Sequence, residues 1–81
     1  MNGLRVYTDP KRPGTCCADS IFYSRRGGGP YYRWRYEGLR GCWLSSRVPA
    51  VELSLTELVS APWREVPAAL KTSLDEHYVD Y

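Results

Sequence analysis

The sequence predicts a small α+β domain: a four-stranded antiparallel β-meander with a C-terminal helix packed on one face. Two observations support this fold class. Short alternating segments separated by glycine and proline fill residues 1–50, and the apolar spacing changes to a helical period after residue 54. A chain of 81 residues has the size of one domain. We therefore predict a single domain over residues 1–81, β-rich over 1–50 and helical over 54–79.

The four predicted strands are rich in the aromatic and β-branched residues that favour a pleated sheet. They cover residues 4–7, 20–25, 31–36 and 42–48. Turn-forming residues lie between them, including the glycines of residues 27–29, and the last strand ends at Pro49. Because successive side chains of a strand point to opposite faces, the third strand has an inner and an outer set. The inner set is Tyr32, Trp34 and Tyr36, and the outer set is Tyr31, Arg33 and Arg35.

The last third of the chain predicts two helical pieces. Ser54 and Glu57 fit a capping box that would begin the first piece, and Pro67 suits the first turn of the second. Apolar residues then recur every four positions at Val66, Leu70, Leu74 and Tyr78. We expect the helix to present Trp63 and this stripe to Trp34, Tyr32 and Val6 or Ile21. Its acidic end should fray or be held by an arginine of the sheet or by a partner.

Charge is distributed unevenly along the chain. Residues 1–50 contain nine lysines and arginines against three acidic residues, whereas residues 51–81 contain two against six. Eight of the nine basic residues in the first half are arginine, which suits bidentate contacts and stacking on rings better than lysine does. The asymmetry bears on association with an anionic surface rather than on the fold.

Arginine alternates with large aromatic residues around the central hairpin, and this run is the candidate binding site. We expect partner-binding residues at Arg25, Arg26, Tyr31, Arg33, Arg35, Trp43 and Arg47, sharing a solvent-exposed plane opposite the helix. Arginine, tyrosine and tryptophan are enriched in protein-interface hot spots. Exposed aromatics with arginines also bind single-stranded nucleic acid. The sequence pI of about 8.5 is below that of dedicated nucleic-acid binders, which favours an acidic protein partner.

Other chemistry has little support in the sequence. The spacing of Cys16, Cys17 and Cys42 does not fit a structural zinc site, and the odd count leaves a free thiol under any pairing. A small enzyme using Cys16 or His77 is a third alternative, but the chain has no recognisable catalytic motif. We expect a non-enzymatic, cytoplasmic binding protein, a regulator, adaptor or accessory subunit. We expect no catalytic residues, no metal, no cofactor and no membrane association.

Overall fold

Five strands form one antiparallel sheet. The computed structural model describes residues 3–10 and 21–78 of the chain. The strands are β1 (Leu4–Thr8), β2 (Ile21–Arg26), β3 (Tyr32–Glu37), β4 (Cys42–Arg47) and β5 (Val59–Ser60). Their order across the sheet is β4-β3-β2-β1-β5. The predicted four-stranded meander with a C-terminal helix is confirmed, and the two-residue strand β5 adds to the outer edge of β1.

Three helical segments follow the meander. They are α1 (Ala50–Leu53), a 3-10 turn (Trp63–Glu65) and α2 (Ala68–His77). Pro49 and Pro67 are the N-cap residues of α1 and α2, with extended ψ of 146° and 142°. Pro67 therefore lies just before the first turn of α2, whereas the sequence predicted it within that turn. Within the described ranges, no helix has both the length and the apolar character needed to cross a membrane.

The predicted capping box at Ser54 is wrong, because Ser54 ends a helix instead of beginning one. Pro49 precedes α1, and Ser54 is the residue at its C-terminal cap. The Ser54 hydroxyl donates to the Val51 carbonyl at 2.8 Å. No helix begins directly after Ser54, because residues 54–55 form a turn and the next element of the chain is β5.

The core lies between α2 and one face of the sheet. Val66, Leu70 and Leu74 are buried against a cluster of sheet residues formed by Val6, Phe22, Trp34 and Trp43. Leu70 and Leu74 have no exposed surface, which confirms the predicted apolar stripe. Burying side chains of this size gives a small domain most of its stability.

Two residues predicted for this contact lie elsewhere. Trp63 is 46% exposed because it belongs to the 3-10 turn before Pro67 and so does not follow the period of α2. Its ring lies instead 5.5 Å from the Lys71 ammonium, a cation–π contact. Ile21 points away from α2, since it pairs with Arg35 on the opposite face of the sheet.

An arginine of the sheet holds the acidic end of α2. One terminal nitrogen of Arg26 donates to the Tyr78 carbonyl at 3.0 Å. A cation at a helix C-terminus offsets the negative end of the helix dipole and satisfies a carbonyl that has no partner within the helix. This is one of the two outcomes that the sequence predicted for that end.

A buried chain of hydrogen bonds joins β2, β3 and α2. The Trp34 indole N–H donates to the Ser24 hydroxyl at 2.8 Å, and the Ser24 and Tyr78 hydroxyls are also 2.8 Å apart. Ser24 is fully buried. Burial raises the pKa of Tyr78 above its ordinary value, which keeps the phenol protonated. These hydrogen bonds give the indole N–H of buried Trp34, the only donor of its side chain, an acceptor.

Ser24→Ala is expected to destabilise the fold by about 1–3 kcal/mol, because it leaves the Trp34 N–H buried without an acceptor. Urea unfolding of the variant measures the change. Ser45→Ala is the matched control, since Ser45 is exposed on β4 and lies opposite the backbone of Trp34. The control should stay within about 0.5 kcal/mol of the parent. Equal unfolding midpoints for the two variants would contradict the structural role of Ser24.

His77 packs its ring among aromatic side chains at the end of α2. Its ring centroid lies 4.4 Å from that of Tyr32, 4.6 Å from that of Tyr78 and 5.3 Å from that of Trp34. Partial burial disfavours the charged imidazolium, so the pKa of His77 is lowered from its ordinary value of 6.5. The residue as a whole remains exposed.

The free energy of unfolding should fall as the pH drops through about 6.5, because the unfolded chain takes up a proton that folded His77 resists. Above that pH the stabilisation from neutral His77 is complete. It declines as the pH falls further and is lost below the lowered pKa of folded His77. Urea unfolding on either side of this window measures the effect. His77→Phe keeps a ring and should show a smaller pH dependence than the parent; an unchanged dependence would assign it to other groups.

Candidate functional site

The face of the sheet opposite α2 carries arginines and tyrosines, and we call it the outer face. Phe22 and Trp34 pair across β2 and β3 and are both in the core, so their neighbours in each strand point the other way. The same register places Tyr23 opposite Arg33 and Ile21 opposite Arg35. The outer face comprises Arg5, Tyr7, Ile21, Tyr23, Arg25, Tyr31, Arg33 and Arg35.

Four of the seven predicted site residues share this face. They are Arg25, Tyr31, Arg33 and Arg35. Arg35 is exposed, and the other three are partly buried. The predicted common plane therefore holds for the part of the site on β2 and β3.

The other three predicted residues are on the helix side by register, which corrects the expectation of one plane. Trp43 pairs with Tyr36, is 6% exposed and belongs to the core, so it is not an exposed anchor. Arg26 pairs with Leu4 and bonds Tyr78. Arg47 pairs with Tyr32 but is exposed at the sheet edge, where it lines a cleft together with Arg25 and Tyr31.

The turn between β3 and β4 decides the orientation of Trp43. Gly41 has φ of 64° and donates from its amide to the Glu37 carbonyl at 2.8 Å. This closes the turn so that Cys42 pairs with Glu37, and the pleat then sends Trp43 to the same side as Tyr36. A glycine suits this backbone because other residues rarely adopt a positive φ.

Arg33 lies over a buried tyrosine ring and holds a carboxylate. Its guanidinium carbon is 5.5 Å from the centroid of Tyr23, and its Nε donates to the Tyr23 hydroxyl at 3.3 Å. A terminal nitrogen donates to the Glu52 carboxylate on α1 at 3.0 Å. The hydrogen bonds to Tyr23 and Glu52 raise the pKa of Arg33 despite its partial burial, so the group stays charged.

Arg25 has the same arrangement over Tyr31. Its guanidinium carbon lies 4.9 Å from the ring centroid, and a terminal nitrogen donates to the Tyr31 hydroxyl at 3.3 Å. Its Nε donates to the Gly29 carbonyl at 2.9 Å, which fixes the plane of the group. Unlike Arg33, Arg25 forms no ion pair with a carboxylate of residues 3–10 or 21–78.

Five residues of this region were not among the predicted site residues: Arg5, Tyr7, Ile21, Tyr23 and Glu52. Arg5 lies directly opposite Arg25 on β1, and the Tyr7 ring centroid is 6.0 Å from that of Tyr31. The alternation of Leu4-Arg5-Val6-Tyr7 could have placed Arg5 and Tyr7 on the outer face, given that Val6 is buried. Glu52 gave no local signal, because its contact with Arg33 joins residues far apart in the chain.

Two clefts open on this side of the molecule. The first, of about 300 Å³, is lined by Asp9, Ile21, Tyr23, Arg33 and Arg35. The second, of about 470 Å³, lies between Arg25 and Tyr31 on the sheet and the segment that leads into α1. Both combine guanidinium groups with ring or aliphatic surface. The first also contains the Asp9 carboxylate, whereas no acidic residue lines the second, which is therefore better suited to binding a carboxylate beside apolar groups.

Two of the residues considered for thiol, metal or acid–base chemistry, His77 and Cys42, lie in the described parts of the chain. His77 lies at the end of α2, whereas Cys42 is a partly buried free thiol in β4. Cys16 and Cys17 lie outside the described residues. Among residues 3–10 and 21–78, no group of three His, Cys, Asp or Glu side chains could hold a metal ion.

Comparison with protein-family models, with curated proteins and with solved structures gave no match to this chain.

Glu52→Gln is expected to change the free energy of unfolding by less than about 1 kcal/mol, because ion pairs between exposed groups contribute little. The Glu52 side chain is 49% exposed, and the Arg33 side chain 27%. Urea unfolding tests this, with Glu57→Gln as the control at an exposed residue. A much larger loss would show that Glu52 is part of the fold rather than a replaceable carboxylate on the outer face.

Proposed function

We propose that this chain is a non-enzymatic, cytoplasmic binding protein that docks its outer face on an acidic surface of a larger protein, as a regulator, adaptor or accessory subunit. One observation carries the proposal. Arg33, held over Tyr23, already binds a carboxylate, that of Glu52, at 3.0 Å. The neighbouring arginines of the same face can bind carboxylates of a partner in the same way.

Uncompensated positive charge supports this function. Arg5 and Arg35 are exposed, and neither forms an ion pair with any residue in the described parts of the chain. Arg5 also lies directly opposite Arg25, a cross-strand pair of like charges that weakens the sheet. An acidic partner would remove that repulsion, and a face built for stability alone would not place two arginines there.

Preorganisation supports it as well. Arg25 and Arg33 are each held by a ring contact and by hydrogen bonds to neighbouring groups. A side chain that is already ordered loses less conformational entropy when it binds a partner. Guanidinium groups fixed in this way retain further N–H donors for bidentate contacts with carboxylates.

Single-stranded nucleic-acid binding through the same face is the alternative. It requires exposed ring faces on which bases can stack. The ring of Tyr23 is buried, and the guanidinium groups of Arg33 and Arg25 lie over the rings of Tyr23 and Tyr31. The rings therefore support arginines more than they offer stacking surfaces, which favours the protein partner.

Charge reversal at Arg5 and Arg35 tests the proposal, because neither side chain forms a hydrogen bond or an ion pair with any residue in the described parts of the chain. Arg5→Glu/Arg35→Glu should lose most of the acidic proteins that the parent retains from a nuclease-treated extract. Arg40→Glu/Arg64→Glu is the matched control, with the same change of charge at two exposed residues off the outer face. Glu52→Gln should retain more than the parent, because it frees Arg33. Mass spectrometry of the bound fractions measures all three.

Equal retention by the two double variants would contradict the proposal, because net charge rather than the outer face would then explain binding. Binding that disappears with nuclease treatment would favour the alternative. A direct comparison of poly-glutamate with a generic single-stranded oligonucleotide then decides between them. Micromolar affinity for the oligonucleotide with a steep dependence on salt is the result expected of nucleic-acid binding.

A further inference from the structure

We propose that the cleft beside Arg25 and Tyr31 binds a peptide carboxylate together with the aliphatic side chain next to it. This inference rests on the proposed function and specifies which feature of the partner the outer face recognises. The cleft has a volume of about 470 Å³, within the usual range for ligand sites. It is large enough for one or two residues and too small for a folded element.

Arg25 and Arg33 are two similarly placed arginines of the outer face, but only Arg33 binds a carboxylate among the described residues. Arg33 and Arg25 each lie over a tyrosine ring and donate to its hydroxyl. Arg33 binds the Glu52 carboxylate, whereas Arg25 forms no ion pair among the described residues. Arg25 uses its Nε and one terminal N–H in the bonds to Gly29 and Tyr31, and a guanidinium group carries five such donors. A carboxylate from outside would occupy at Arg25 the position that Glu52 occupies at Arg33.

Positive charge surrounds Arg25. Arg5 lies directly opposite it on β1, and Arg47 lines the same cleft. The positive charge of these three arginines favours an anionic ligand and disfavours a cationic one. The acidic residue of α1, Glu52, is bonded to Arg33 instead.

One wall of the cleft is apolar. Val48, Pro49, Ala50 and Leu53 line the side that faces Arg25 and Tyr31. A free phosphate would leave this surface without a contact, whereas an aliphatic side chain adjacent to the carboxylate would cover it. The recognised chemistry is therefore a carboxylate beside a leucine, valine or isoleucine side chain. The carboxylate can come from a peptide C-terminus or from an acidic side chain.

Titration of the ¹⁵N-labelled full chain with three probe peptides tests the site. The first ends in a free C-terminal leucine, the second is the same peptide with an amidated end, and the third is amidated but contains an internal Glu-Leu pair. We expect amide shifts at Gly29, Tyr31, Val48 and Leu53 with the first or the third peptide, and none with the second. The peptide that binds identifies the source of the carboxylate.

Arg25→Gln should weaken that binding about tenfold, the effect of losing one charged hydrogen bond. Arg25→Lys keeps the charge but lacks the planar fork, so its affinity should lie between those of the parent and Arg25→Gln. Arg40→Gln is the control, since Arg40 is exposed in the turn between β3 and β4. Unchanged spectra outside the cleft show that each variant is folded.

Shifts confined to Ile21, Arg33 and Arg35 would contradict the proposed carboxylate site beside Arg25. They would still leave the outer face as the docking surface. Equal binding by Arg25→Gln and the parent would overturn it too. An absence of shifts with all three peptides at millimolar concentration would also overturn it. The charge-reversal experiment at Arg5 and Arg35 would still decide the proposed function, so the two failures are distinguishable.

Discussion

The pairing of Phe22 with Trp34 across β2 and β3 is the constraint on which both faces of this sheet depend. The two side chains are buried under α2, and the Trp34 N–H donates to Ser24, two residue pairs further along the same face. Because strand side chains alternate, burying this pair directs Tyr23, Arg33 and their neighbours to the opposite side. A slip of one residue between β2 and β3 would put arginines under the helix and tryptophan in solvent. The cost of burying unpaired guanidinium groups excludes that register.

The same arrangement makes the tyrosines of the outer face structural supports for its arginines. Tyr23 is buried beneath Arg33, and Tyr31 lies beneath Arg25. Each ring provides apolar surface for one guanidinium and a hydroxyl that accepts from it. Arginines that would otherwise be mobile are thereby held in fixed directions. The division of charge along the chain has a structural counterpart: α1, in the acidic part of the sequence, contributes Glu52 to the arginine-rich sheet.

Features with a regular period were predictable from the sequence, and features set by turns were not. The alternation of residues 31–36 and the apolar stripe of Val66, Leu70 and Leu74 correctly identified the two surfaces of the core. The side taken by Trp43 depends on how the turn at Gly41 closes, a geometry that composition does not reveal. Ser54 matched a local motif, but its hydroxyl bonds the preceding turn. The contact of Arg33 with Glu52 joins distant parts of the chain, so no local pattern could indicate it.

The outer face exists only if alternate side chains of β3 lie on opposite sides of the sheet, with Trp34 under α2 and Arg33 away from it. Nuclear Overhauser contacts in the free protein measure this. We expect the Trp34 indole protons to contact the methyl groups of Leu70 or Leu74, and the Arg33 side-chain protons to contact the Tyr23 ring but no proton of α2. Contacts between Arg33 and α2, or an indole of Trp34 without contacts to the helix, would contradict the arrangement and remove the basis for the outer face.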